Sequence, residues 1–441
     1  MNQFDGLFSL TDLFSVVLWL ILLGFLVRFI KASFPSEKLS KYFYPGLAFK
    51  IGMALVFSVV YLFILDGGDV VAYWESAGCL NRLFFSNPSG YLDEVFNSNK
   101  LLGITYHFNH ETGYPPGWIW RELEAWNAAK LISLISILSF NSFWAATLII
   151  ATLAFSISWV LSVWLSDHES FSEKSIAFSF LFFPSVAFWS SGINKDTLIY
   201  IFALYTIYLL FSILKDYSKW SVRRIFFILI SLYILYYLRH FIAIAIVIPF
   251  GLALATRYGN SLRGKGFVRI VFISFVYVAA LISFFFLFNA SQTQALIAEA
   301  QITQSDFSNN PLYTGARYEL AQTDASLVSF ISIFPSALFV SLYRPFITES
   351  LSVNFIMNGI ESLLLIFYSL TYLFNRKLVA NVNKLFTSEF GVYALVFVMI
   401  VGFMAGYTSI LFGVLVRIRS IVLPFFFLVL SYRTTNKNLS E

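Results

Sequence analysis

Residues 142–165 read SFWAATLIIATLAFSISWVLSVWL, and no charged side chain interrupts them. A bilayer core is about 30 Å thick and takes about 20 apolar residues to cross as a helix. The run therefore predicts a membrane span. Working outward, further apolar runs occupy residues 10–30, 47–66, 174–192, 197–214, 224–238, 241–256, 269–288, 354–374, 390–413 and 418–432. Of the 441 residues, 59% are hydrophobic and only 12% charged, whereas soluble domains carry about 25% charged residues. The expectation is an all-α polytopic membrane protein with about eleven transmembrane helices (roughly ten to thirteen), folded as one integral-membrane domain over the whole chain.

Composition also excludes. The net charge of +5 sits in short connections between spans, where it sets orientation and is no nucleic-acid signal. Cys79 is the only cysteine, so no internal disulfide or cysteine-built metal site can form. Met1–Ser9 has no basic stretch ahead of the first apolar run, so that run reads as a retained span and not a cleaved signal. Gly264-Lys265 lacks the spacing of a phosphate loop. No Ser-His-Asp arrangement is evident, nor any internal repeat.

Lysine and arginine assign the sides. Arg28, Lys31, Lys38, Lys41 and Lys50 surround the first connection. Further basic clusters fall at Lys215–Arg224, Arg257–Arg269, Arg376–Lys384 and in the tail at Arg433 and Lys437. With these in the cytoplasm, the N-terminus is outside and the C-terminus inside. Two long segments, residues 67–141 and 289–350, become extracytoplasmic loops. The amphipathic stretch 127–141 is expected at the outer interface. Residues 327–350 read as a re-entrant or surface segment broken by Pro335 and Pro345.

The scarce ionic residues then fall in one pattern. Asp66, Asp69, Lys195, Asp196, Arg239, Arg344, Arg417 and Arg419 all lie at outer ends of apolar runs. An ionisable group at a membrane edge is costly without a partner or water, which makes each a functional candidate. Asp66-Gly-Gly-Asp69 is followed by Tyr73-Trp74. Its carboxylates can act as general base to a hydroxyl or hold a divalent cation, and the aromatic pair can stack on a sugar. The plainer reading is a solvated helix end with an aromatic belt.

In Phe183-Pro-Ser-Val-Ala-Phe-Trp-Ser-Ser-Gly-Ile-Asn194-Lys195-Asp196, small polar residues interrupt an apolar stretch. Lys195 can neutralise a phosphate leaving group, with Asp196 capping the next helix and pairing with it. An ordinary turn with an exposed ion pair is the alternative. Arg239-His240, Arg344-Pro345-Phe346 with Glu349, and Arg417-Ile418-Arg419 supply guanidinium groups that can bind phosphate bidentately. Snorkelling to lipid headgroups would also explain them. His107, His110 and Glu111 lack a further ligand pair for zinc, so a hydrated loop fits them better. Gly113-Tyr-Pro-Pro-Gly-Trp118 reads as a rigid turn with exposed aromatics that can line an acceptor groove.

Taken together, these motifs resemble the bacterial GT-C superfamily of integral-membrane glycosyltransferases and the related O-antigen-like polysaccharide polymerases. Four places carry the likeness: Gly68-Asp69 with Tyr73, Pro184 through Asp196, Arg344-Pro345-Phe346 with Glu349, and Arg417-Ile-Arg419 followed by Pro424. It spans roughly residues 50–430, through short motifs. The resemblance implies sugar transfer from an undecaprenyl-type polyprenyl phosphate or diphosphate donor to a glycan or lipid acceptor. The active site would face outward from the bacterial inner membrane, in surface-polysaccharide assembly. Asp69, with Asp66, would be the catalytic or metal-organising carboxylate. Lys195, Arg239, Arg344, Arg417 and Arg419 would hold the phosphate, supported by Tyr73, Trp74, Asp196, His240 and Glu349. No cofactor is firmly implied; a divalent cation at the carboxylates is the one candidate. Asp-Gly-Gly-Asp in place of Asp-Glu, an extra N-terminal span and the lack of a large C-terminal soluble domain depart from protein mannosyltransferases.

Two other functions compete. A transporter or flippase of lipid-linked oligosaccharide also wants an arginine-lined cavity, but would show charges deep in spans or broken helices in paired repeats. A scaffold for a polysaccharide complex would not need so many outer-face arginines.

Overall fold

The computed structural model describes residues 9–65, 67–97, 103–215, 221–262, 271, 275, 291–310, 315–321, 326–349 and 353–432. Asp66 and most of the expected span 269–288 lie outside them. The described residues are helical, without a named strand; the one isolated bridge among them joins Arg317 and Leu411. They contain seven helices long and apolar enough to cross a membrane, or eight if a bent pair counts as one span. The chain is thus a polytopic helical membrane protein. It folds as two compact units: residues 1–168 with 180–243, and residues 169–179 with 244–441.

The first unit is built around the Phe143–His168 helix. Leu10–Ser33, Phe43–Val59 and Lys195–Lys215 all pack on it. It is enclosed on most sides, while Leu10–Ser33 buries only one stripe and leaves Leu13, Phe14, Phe25 and Phe29 exposed. Small side chains let the neighbours close in: Ala145, Ala146, Ala151 and Ala154 are fully buried. Ser158 and Ser162 bond back to carbonyls one turn earlier, which satisfies their hydroxyls inside an apolar bundle. A second layer is formed by Gly68–Ser86 packed along Leu123–Leu138.

In the second unit Glu389–Thr408 is central, contacting Leu327–Tyr343, Leu378–Thr387 and Leu423–Ser431. Gly402 and Gly406 lie one turn apart on it. A Cβ at Gly406 would overlap the carbonyl of Ala337 on the Leu327–Tyr343 helix. This is the close helix approach that small residues four apart allow.

Several expected elements differ in form. The run 174–192 is not one helix. Phe183 is extended (ψ 116°) and a new helix starts at Pro184, because the residue before proline is pushed out of the helical region. The runs 224–238 and 241–256 belong to one element, Val222–Ser261, broken at Arg239, whose φ/ψ are −165° and 94°. The last expected span is a pair, Phe412–Arg419 and Leu423–Ser431, bent by 60°. Leu327–Tyr343 runs through Pro335 without interruption, an apolar helix shorter than the spanning ones. Lys50, expected in a cytoplasmic connection, is buried inside the Phe43–Val59 helix.

Candidate functional site

The first unit gathers charge where four helices begin or break. The Lys195–Lys215 helix starts at Lys195, capped by Asn194, whose Oδ1 accepts from the Thr197 amide at 2.6 Å. The cap is thus Asn194 and not Asp196 as the sequence suggested: a cap precedes the first helical residue, and Asp196 lies inside the first turn. Nor does Asp196 pair with its neighbour. Its Oδ1 accepts from Arg239 Nη1 at 3.0 Å. The break in the Val222–Ser261 element occurs at that same arginine.

Lys195 instead reaches two carboxylates at the start of the Leu123–Leu138 helix. Its Nζ donates to Glu124 Oε2 at 2.9 Å and to Glu122 Oε1 at 3.4 Å. His240 Nδ1 lies 3.5 Å from the other oxygen of Glu124. Burial pushes the Glu124 carboxyl up, but the His240 hydrogen bond and the charges of Lys195 and Arg239 outweigh it and hold it at about 2. Glu124 is therefore ionised at neutral pH. Glu122 keeps half of its side-chain surface open, at 52%.

Asp69 stands in the first turn of Gly68–Ser86, half-buried. Ahead of it Gly67 takes φ 103°, a conformation that glycine adopts without the steric cost of a Cβ. The preceding turn, Val60–Ile64, is π-helical, a form enriched at functional sites. Tyr73 lies within electrostatic reach of both Asp69 and the ion pairs. Burial raises its phenol well above the usual range; the charges of Asp69, Glu122 and Asp196 raise it further, and Arg239 opposes them. The expected sugar-stacking role of Tyr73-Trp74 does not match this placement: Tyr73 is buried, and Trp74 packs edge-on against Phe143 at 5.5 Å.

Asp69, Tyr73, Lys195, Asp196, Arg239 and His240 are thus brought into one neighbourhood. Glu122 and Glu124, in the first long loop and not singled out from the sequence, belong there too. The available signal was two carboxylates directly before the amphipathic stretch 127–141.

The second unit has its own arginine group. Arg344 Nε donates to Glu349 Oε1 at 2.7 Å, its Nη2 donates to the same oxygen, and the Phe346 amide donates to Glu349 Oε2 at 2.7 Å. The guanidinium carbon lies 5.7 and 5.3 Å from the ring centres of Tyr318 and Phe412. Tyr318 clasps the turn beneath it, donating to the Gly406 carbonyl at 2.6 Å and accepting from the Ile410 amide at 3.1 Å. Ile410 holds φ 44°, a rare and strained state for a β-branched residue.

Arg417 is half-buried. Arg419 was expected on an open phosphate-binding face, and the structure buries it completely. It donates to the Arg344 carbonyl and to Ser362 Oγ at 3.3 Å, and the charge of Glu361 acts on it. A guanidinium among apolar helices needs such partners, so Arg419 ties helices together and presents no face to a ligand.

The remaining motifs are local. His107 Nε2 lies 2.8 Å from Asp93 Oδ2, and the His110 ring meets Tyr114. Among the described residues, no group of three or more His, Cys, Asp or Glu side chains could hold a metal ion. Tyr114 and Trp118 are 43% and 44% exposed. No family model, no curated protein and no solved structure matches this chain.

Proposed function

We propose that the protein transfers a sugar or oligosaccharide from a polyprenyl phosphate or diphosphate to a glycan or lipid acceptor on the extracytoplasmic side of a bacterial inner membrane. The observation that carries this reading is the Lys195 group. A lysine at a span's end is flanked by a half-open carboxylate, Glu122, and lies in the same electrostatic neighbourhood as Asp69. Sugar transfer develops positive charge on the sugar and negative charge on the leaving phosphate, so it needs a carboxylate and a cation close together.

The 3.4 Å contact to Glu122 is the looser of the two that Lys195 makes, and a phosphate oxygen replaces it most readily. Arg239, held by Asp196, carries a second cation beside it. Asp69 is the base toward the acceptor hydroxyl. Arg344 and Arg417 are the corresponding phosphate candidates of the second unit. The topology behind this reading has about eleven spans, with residues 67–141 and 289–350 outside.

Transport of a lipid-linked oligosaccharide is the second reading. Two features favour it: Lys50 lies within a span, and the Val222–Ser261 element is broken at a charged residue. Purified protein in detergent, given a polyprenyl-linked sugar and an acceptor, distinguishes the two. New glycosidic bonds support transfer; donor binding without turnover overturns it in favour of transport.

A further inference from the structure

Lys50 is the most unusual side chain in the first unit. It lies inside the Phe43–Val59 helix, 4% exposed, within a stretch long and apolar enough to span a membrane. Its amine donates to Ser190 Oγ and sits 5.0 Å from the centre of the Tyr200 ring. Ser190 donates to the Val186 carbonyl, and the Tyr200 hydroxyl meets Ser158 Oγ at 2.9 Å. No carboxylate is among its ion-pair partners in the described residues. A lysine placed there at such cost is expected to have a task.

Its position indicates the task. Ser190 opens the turn that ends at Asn194, the cap of the helix that begins with Lys195. Two turns farther along the same helix face, Phe57 fills the space over Gly192, where a Cβ would overlap its ring, and packs on Phe188 and Trp189 at 5.1 and 6.0 Å. One turn beyond, Tyr61 meets Trp189 at 6.5 Å, and its carbonyl accepts from the Gly67 amide at 2.8 Å. Residues 50, 57 and 61 share one helical face. That face grips both segments that lead to the site: the turn before Lys195 and the glycine hinge before Asp69.

We infer that Lys50 is a positioning residue that holds the Ser190–Asn194 turn from within the membrane and so sets Lys195 against Glu122 and Glu124. It does not touch substrate. The inference rests on the reading of the Lys195 group as the reactive site, and its test has one arm that does not depend on activity.

Lys50→Met keeps the length of the side chain and removes the amine; Lys50→Arg retains a donor. In a Cys79→Ser background, Ser191→Cys reports the turn. Ser191 is buried, so a maleimide should label Cys at this position slowly, and several times faster once Lys50→Met is added. Lys50→Arg should restore part of the protection. In the transfer assay Lys50→Met should lower kcat by about tenfold or more, as a displaced catalytic group does, with KM for the polyprenyl-linked donor unchanged. Unchanged labelling in Lys50→Met protein that accumulates normally overturns the inference. Changed labelling without any transfer by the unaltered protein leaves Lys50 as the latch and removes the assigned chemistry. If Lys50→Met fails to accumulate, Ser190→Ala, which deletes only the acceptor hydroxyl, must raise the labelling; no change there overturns the inference as well.

Discussion

At the scale of single residues, pairing decides what each charge can do. Asp69 lies on a glycine hinge beside Tyr73 and the Lys195 group. On the proposed reading Asp69→Asn keeps shape and removes the proposed base, so transfer should be lost while the protein still inserts and accumulates. Normal polymer from this variant would remove Asp69 from the site. Arg344 binds Glu349 through both Nε and Nη2, a fork that lysine cannot reproduce. Arg344→Lys should therefore lose most activity despite keeping its charge, and full activity would reduce Arg344 to a snorkelling side chain.

Glu124 gives a pH dependence. Its folded-state value, about 2, lies below the ordinary 4.5. A lowered carboxyl contributes stability that is complete above its unfolded value and is lost as pH falls through its folded one. The midpoint of thermal unfolding should thus fall between pH 4.5 and about 2 in the native protein, and less steeply in Glu124→Gln. Parallel curves for the two proteins would show that Glu124 has no such role.

At the scale of elements, the irregularities do the positioning. The Val222–Ser261 element breaks at the charged candidate Arg239, the π-helical turn Val60–Ile64 precedes Asp69 by a few residues, and the break at Phe183–Pro184 opens the segment that leads to Lys195. A regular helix satisfies its own backbone and leaves side chains little choice of direction; a break redirects one. Close packing holds these elements. Gly406→Ala would drive a Cβ into a backbone carbonyl that cannot rotate away, and should cost about 1–3 kcal/mol, the usual range for overpacking. Gly24→Ala meets open space inside the Leu10–Ser33 helix and should stabilise by about 0.5–1 kcal/mol, the gain of helix propensity. Unfolding of the two purified variants, side by side, tests the contrast. The GxxxG spacing at 402–406 is visible in the sequence. The burial of Lys50 is not, because a lysine nine residues after Lys41 reads naturally as part of the same basic connection.

At the scale of the whole molecule, the proposed topology predicts which surfaces face which solution. Ser89, exposed in the first long loop, and Asn383, exposed on Leu378–Thr387, should lie on opposite sides of the membrane. An impermeant maleimide added to intact cells should label Ser89→Cys, and should label Asn383→Cys only after permeabilisation. The reverse pattern, or labelling of both from outside, would reassign the loops and move the proposed chemistry to the cytoplasm.

The sequence alone determined that this chain is a helical, multi-span membrane protein, because apolar length is a local property that each span carries by itself. It also singled out charges to ask about, since Asp69, Lys195 and Arg239 stand out against an apolar background. Tertiary structure decided which of these charges meet. Lys195 turned out to answer to Glu122 and Glu124, more than 70 positions away in the chain, Arg239 to Asp196, and Arg419 to buried helices instead of a ligand. Hydropathy reports how deep a residue can lie; it carries no information about which helix face will turn toward which neighbour.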